Sequence, residues 1–187
     1  MNNILIVESK NDELFLRTVV EHLNLKNIQV DNRPICRIHD YQCLEGLNLN
    51  KLVLRFEALK NALPKRDIQS VGVILDHDDK KNERIKLIND AMQVVFDSEH
   101  FIEDTSQFIK ISARLGKNTY EFKLSCFLVN VQEKGELETL LKTIKTKTSV
   151  YADCLYEWKK CVENHFASET DNKNARIISD KDFDKFW

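Results

Sequence analysis

Two short runs of almost wholly apolar residues constrain this chain most. Asn3–Val7 reads NILIV and Ser70–Leu75 reads SVGVIL. A strand with one wet face alternates apolar and polar residues. A continuous run suits a strand buried on both faces, as in a parallel sheet covered by helices. Helical periodicity follows each run. After the first, "DELFLRTVVEHL" sets Leu16, Val19, Val20 and Leu23 on one face, with Asp12 and Glu13 in the first turn, where the helix dipole favours acids. After the second, residues 82–96 set Ile85, Ile88, Met92 and Val95 inward.

The remaining segments continue the alternation. Asn27–Ile38 predicts one or two short strands interrupted at Pro34. Leu52, Phe56, Leu59 and Leu63 mark a helix over 48–63 that Pro64 stops. "QFIKISA" and "YEFKLSCFLVN" read as strands on either side of the turn signal Gly116-Lys117-Asn118. "GELETLLKTIKTK" and "YADCLYEWKKCVENHF" read as helices, the second with Leu155, Trp158, Val162 and Phe166 inside. "KDFDKFW" starts as a helix and stops at Trp187, as if cut off. The order predicts an α/β fold with an open, mostly parallel central sheet flanked by helices and with extra helices at the C-terminal end. The expected division is an α/β domain over 1–150 and a helical appendage over 151–187.

Composition narrows the function classes. Of 187 residues, 42% are apolar and 31% charged, a globular mixture, and four Gly and two Pro leave few loops. A net charge of -2 supplies no global field that draws the chain onto nucleic acid, so such a role needs local basic patches or a cation. No apolar stretch approaches the length of a membrane span, and Met1-Asn2-Asn3 leads straight into a strand rather than a secretory signal. Five cysteines without a CxxC pair predict reduced, mostly buried thiols and a cytoplasmic setting. Cys154 and Cys161, seven apart, suit one packed helix face. His39, His77 and His100 have no ligand spacing and read as surface histidines.

Acids gather where strands end. In an open α/β sheet, sites lie beyond the carboxyl ends of the strands. Glu8 follows the first strand, and Asp76, Asp78 and Asp79 follow the second apolar run. If the backbone stays extended, Asp76 and Asp78 point the same way and His77 points away. Aligned carboxylates repel unless a proton or cation sits between them, and a hard divalent ion takes one or two carboxylates plus waters. Taken alone, DHDD is equally an acidic turn, with Asp79 capping the next helix. Asp12, and Glu136 and Glu138 in GELE, add acids at other element ends, where dipole pairing and capping also explain them. Lys10, Lys80, Lys81 and Arg84 lie nearby in sequence. The last three open a helix, where cations are disfavoured unless a nearby phosphate offsets them; a solvated charged face is the plain alternative.

In this order, "ILIVESKNDELFL", "VGVILDHDD" and "GELETLL" resemble the TOPRIM fold, the metal-binding module of topoisomerases, bacterial primases and OLD-type nucleases. The resemblance is closest to the small DUF3226 group and spans about residues 3–145. Glu8 matches the first glutamate, Lys10 the lysine, Asp12 the second acid of the OLD-like variant, Asp76 and Asp78 the Asp-x-Asp, and Gly135, Leu137 and Glu138 the late element. Ser9 stands where the family usually has Gly, which lets backbone or phosphate come close.

The resemblance implies Mg²⁺ or Mn²⁺, one ion or two, serving phosphoryl transfer on nucleic acid, DNA foremost, in the manner of an OLD-like nuclease. It assigns Glu8, Asp76 and Asp78 to one metal, with Asp12 and Glu138 for a second. Glu8 serves alternatively as general acid or base. Glu8, Asp76, Asp78 and Lys10 form the expected catalytic set; Lys10, Lys80, Lys81 and Arg84 form the nucleic-acid contact set. The other reading is a non-catalytic TOPRIM-derived module, or an effector subunit beside a separate ATPase, since the sequence has no P-loop. Self-association is compatible with either.

Four rivals fit less well. A receiver domain pairs acids directly after its first strand and keeps its acceptor much closer to them than Asp76 is to Glu8. A haloacid-dehalogenase-like phosphatase opens with its Asp-x-Asp and follows it with a β-branched residue, where this chain has Lys80. A nucleotide-sugar transferase needs a longer chain, and a transesterifying topoisomerase needs a tyrosine domain for which there is no room.

Overall fold

A computed structural model describes residues 2–36, 47–132, 137–147 and 150–168. The chain divides into two compact units, 1–136 and 137–187. The first is built in the order β1 (Asn2–Val7), α1 (Lys10–His22), β2 (Ile28–Val30), α2 (Leu49–Ala62), β3 (Ile68–Asp76), α3 (Lys81–Phe96), β4 (Ile109–Leu115) and β5 (Asn118–Val129). One five-stranded sheet results, ordered β2-β1-β3-β5-β4. β1, β2, β3 and β5 run parallel, and β4 pairs antiparallel with β5 across the turn at Gly116, whose φ of +62° suits glycine. This is the expected α/β architecture, consistent with a TOPRIM-like arrangement.

The two apolar runs become β1 and β3, neighbours at the centre of the sheet, with Leu5 opposite Gly72 and Val7 opposite Ile74. A Cβ on Gly72 would come within 2.9 Å of Leu5 Cδ2, so glycine permits this close pairing. The alternate residues Ile4, Ile6, Val71, Val73 and Leu75 join Leu124, Cys126 and Leu128 of β5 in one buried core. Against it pack Leu52, Phe56 and Leu59 of α2 and Ile85, Ile88 and Met92 of α3. Phe96 bridges the layers, its ring 5.7 Å from Phe56 and 5.5 Å from Phe122. Burial pushes the Cys126 thiol up to about 11, so it stays protonated and inert at neutral pH.

Local signals set the boundaries. Asn48 caps α2 through its side chain, and Pro64 ends it in a single 3-10 turn. α3 ends at Asp97 in the left-handed region. α1 departs from the expected amphipathic pattern. Leu16, Val19 and Val20 are half-buried and Leu23 is exposed, whereas Asp12 and Glu13 are buried. α1 lies against β1 and the three-residue β2, a narrow surface that cannot cover a full apolar stripe.

The second unit contains α4 (Leu137–Ile144) and α5 (Val150–Ser168), tied by Lys145 Nζ to Asp153 Oδ1 at 2.7 Å. The α5 core reading is corrected in part: Leu155 and Val162 are half-buried, but Trp158, Cys154 and Cys161 are exposed. Among the described side chains of α5, Leu155, Lys159 and Val162 are the half-buried ones. Phe166, His39, Cys43 and the Trp187 segment lie outside the residues whose side chains are described. Among the described residues no helix is long and apolar enough to cross a membrane.

Candidate acidic site at the strand ends

Glu8 leaves β1 at its carboxyl end, and Asp76 is the last residue of β3. Because β1 and β3 are parallel neighbours, residues 68 apart in sequence meet at one edge. The Asp76 amide donates to Glu8 Oε2 at 3.1 Å. The chain then turns sharply. Asp78 and Asp79 both take positive φ, +48° and +55°, and the Lys80 amide closes the turn on the His77 carbonyl at 2.8 Å. Two consecutive left-handed residues are tolerated because short acidic side chains adopt that region more readily than most.

This turn corrects three expectations. The backbone is not extended beyond Asp76, so the alternation argument for Asp76 and Asp78 does not hold; the turn, not the pleat, aims Asp78. Asp79 is not the helix cap, since Lys80 holds that position without a side-chain bond. His77 is buried at 5% exposure rather than on the surface. Its amide donates to Val129 O at 3.2 Å, which prolongs the β3–β5 pairing one residue past the strand and tucks the imidazole in.

Asp78 and Glu8 face a common cation, Arg84. The guanidinium makes a short charge-assisted bond to Asp78 Oδ2 and lies 3.9 Å from Glu8 Oε1. Arg84 was expected to reach nucleic acid, yet it is buried on α3, turned toward the acids. The anion that offsets a cation at this helix start is thus the protein's own. Burial holds the Glu8 carboxyl above its ordinary value; Arg84 and the Asp76 amide pull it down, and the charges of Asp78 and Asp12 add to the rise.

The other expected residues are placed as follows. Asp12 is buried and forms a reciprocal cap with Ser9: Ser9 N donates to Asp12 Oδ2 at 2.7 Å, and Asp12 N to Ser9 Oγ at 3.2 Å. Ser9 therefore has a structural task as the cap of α1. Lys10 is ion-paired to Glu13 at 2.7 Å, and Arg17 meets the same carboxylate at 3.0 Å. Lys80 is exposed and 3.9 Å from Glu83; Lys81 is 3.0 Å from Asp104. Glu138 falls in α4 of the second unit, and its side chain lies outside the described residues, as do Gly135 and Glu136.

Sequence reasoning missed the Ser9–Asp12 capping box, although S-x-x-D before an apolar run announces it. It also missed the buried Glu13, whose i,i+3 and i,i+4 basic neighbours were legible. Arg84 lies four residues before Ile88, on the apolar face of α3 that the spacing marks, but which acids it would meet depends on the turn at Asp78 and Asp79.

The donor set suits a hard cation: oxygen ligands only, with two carboxylates already sharing one positive group that stands in for an ion. Among the described residues no three acidic, histidine or cysteine side chains are gathered closely enough to form a ready-made cage. A hydrated Mg²⁺ commonly takes one or two carboxylates beside its waters.

No curated protein and no solved structure matched the chain. The sequence model of one family, described as "Protein of unknown function (DUF3226)", matches residues 2–187, essentially the whole chain, and the chain belongs to that family.

Proposed function

We propose that the acidic edge binds a hydrated divalent cation, Mg²⁺ or Mn²⁺, and that the protein transfers phosphoryl groups on nucleic acid, as a nuclease of the OLD-like TOPRIM type acting on DNA. The observation that carries this reading is the sharing of Arg84 by Glu8 and Asp78, side chains brought together from the carboxyl ends of two central parallel strands. That edge is where open α/β sheets hold their ligands. A bound cation would polarise the phosphodiester and activate water there. Glu8 and Asp78 would hold it, with Asp76 beside them and Asp12 buffering from behind. Arg84 would exchange its carboxylate partners for a phosphate oxygen, a match for its planar fork. Lys80 and Lys81, on solvent-facing ion pairs, and Lys10, paired to the buried Glu13, would meet the flanking phosphates. The cytoplasm, where nucleic acid is available, is the setting this reading requires, and a separate ATPase subunit and self-association are its further expectations.

One observation favours the alternative, a non-catalytic module. Arg84 already pairs with Asp78 and lies close to Glu8, so the protein itself supplies part of the positive charge that an ion would bring. Two measurements on the purified chain separate the readings. Calorimetric titration with Mg²⁺ and Mn²⁺ is expected to show binding in the wild type and none in Glu8→Gln/Asp78→Asn. Plasmid, linear and single-stranded substrates are expected to be cleaved by the wild type in either metal and spared by Asp76→Ala/Asp78→Ala. Metal binding without cleavage selects the non-catalytic module. Absence of both removes the cation reading altogether.

A further inference from the structure

A second charged cluster lies on the opposite side of β1 from β3, at the β2 margin of the sheet. Between Asp31–Arg33, α2 and Arg66, two residues before β3, is a cavity of about 250 Å³ whose lining includes Arg33, Arg55 and Arg66. Among the described residues Asp31 is the only acid on that lining, against three arginines. Asp31 is also fully engaged. Its Oδ2 takes the guanidinium of Arg55 in a short bond, and its Oδ1 accepts the Arg33 amide at 2.9 Å. Arg66 donates to the neutral Gln29 side chain at 2.5 Å, an acceptor that brings no charge.

Arg55 is buried at 8% exposure, and its Nε is buried without a hydrogen bond among the described residues. Burial pushes its guanidinium below its ordinary value, Asp31 opposes that, and Arg33 and Arg66 are near enough to push it further down. Three like charges gathered in one cavity repel, and a single saturated carboxylate does not balance them. The floor, with Ala58 and Ala62, is small-sided and leaves the space open.

We propose that this cavity is a phosphoryl-group site in which Arg33, Arg55 and Arg66 receive a phosphate. Guanidinium forks match phosphate oxygens bidentately, and an oxyanion supplies the charge that Asp31 alone does not. The site does not depend on the metal reading of the acidic edge. It is nevertheless connected to it: the segment from Asp31 to Cys36 runs beside β1, its amides donating to Leu5 O, Val7 O and Glu8 O at 2.8–2.9 Å. A phosphate bound at Asp31–Arg33 therefore grips the same backbone that flanks Glu8.

The test uses the full chain and calorimetric titration, with thermal unfolding as a second readout, at ionic strength matched with chloride. The probes are inorganic phosphate, adenosine 5′-monophosphate, and one short oligonucleotide with and without a 5′-phosphate. Binding of at least one phosphorylated probe is expected, and which probe binds tightest identifies the source as free phosphate, nucleotide or strand end. Arg33→Gln/Arg66→Gln is expected to weaken it by at least about tenfold. Both residues lie outside the core, and Arg33→Gln alone, at an exposed position, gives a smaller loss without risk to the fold. Asp76→Ala is expected to bind as the wild type does. The proposal is overturned if no phosphorylated probe binds beyond chloride, if the arginine variants bind unchanged, or if Asp76→Ala abolishes binding.

Discussion

Replacing Arg84 with Met tests whether the acidic edge is organised as the structure has it. Met retains much of the apolar stem and removes only the charged fork. The guanidinium is bonded to Asp78 and lies 3.9 Å from Glu8 Oε1, with the Arg84 and Glu8 side chains each only 11% exposed. Unit charges about 4 Å apart attract by about 4 kcal/mol at the effective dielectric of such sites. Losing one member of a buried pair costs about 3–5 kcal/mol, because the remaining charge stays desolvated. The loss has a pH signature. Arg84 is the largest influence holding the Glu8 carboxyl down, so without it the folded-state value, already raised, rises further. Glu8 then binds its proton more tightly folded than unfolded, and stability falls as pH climbs from the unfolded value, about 4.5, through the folded one. Urea unfolding followed by circular dichroism at pH 4.5 and pH 7.5 measures both effects. The variant should be destabilised by about 3–5 kcal/mol near neutrality and by clearly less at the acid end. A loss under about 1 kcal/mol, or one of equal size at both pH values, refutes the pairing.

The remaining predictions concern neighbouring features. Glu8→Gln keeps an acceptor for the Asp76 amide and cannot ionise, so its stability relative to wild type should rise as pH increases above 4.5; a falling difference would reverse the sign argued from burial. Ser9→Ala should cost about 1 kcal/mol through the lost cap, whereas Ser9→Gly should cost only a few tenths, as chemical denaturation would show. Ile88→Ala, at a fully buried α3 position, should cost about 2–5 kcal/mol by the same measurement. Millimolar Mg²⁺ should raise the melting temperature of Arg84→Met more than that of wild type, since the acids there lack their guanidinium; an equal rise in both argues against a cation at Glu8 and Asp78.

The central architecture was legible because its signals are local and strong. Unbroken apolar runs became β1 and β3, and the period of Leu52, Phe56 and Leu59, and of Ile85, Ile88 and Met92, matched the buried faces of α2 and α3. Glu8 and Asp76 were both expected at the carboxyl ends of strands; that their strands are neighbours came from the structure. What sequence could not give depended on tertiary aim. The left-handed turn at Asp78 and Asp79 has no glycine to announce it, and it replaced the pleat on which the Asp76–Asp78 alignment rested. The inward rotation of Arg84, the burial of His77 and the Arg55–Asp31 pair each depend on what a neighbouring element presents. On α1 and α5 the apolar period was real, but periodicity does not tell how much surface lies opposite it.

The bond from the Asp76 amide to Glu8 spans 68 positions. Closing a loop of that length carries an entropic cost that local structure cannot meet, so β1 and β3 must be paired before the two strand ends are held together. The β4–β5 hairpin and the individual helices can form without bringing a single pair of these acids into register. The acidic cluster is therefore a property of the completed sheet and of no fragment of it. A cation bound at that cluster would bind the folded state alone, so its occupancy and the resistance of the chain to unfolding would be one equilibrium read from two sides.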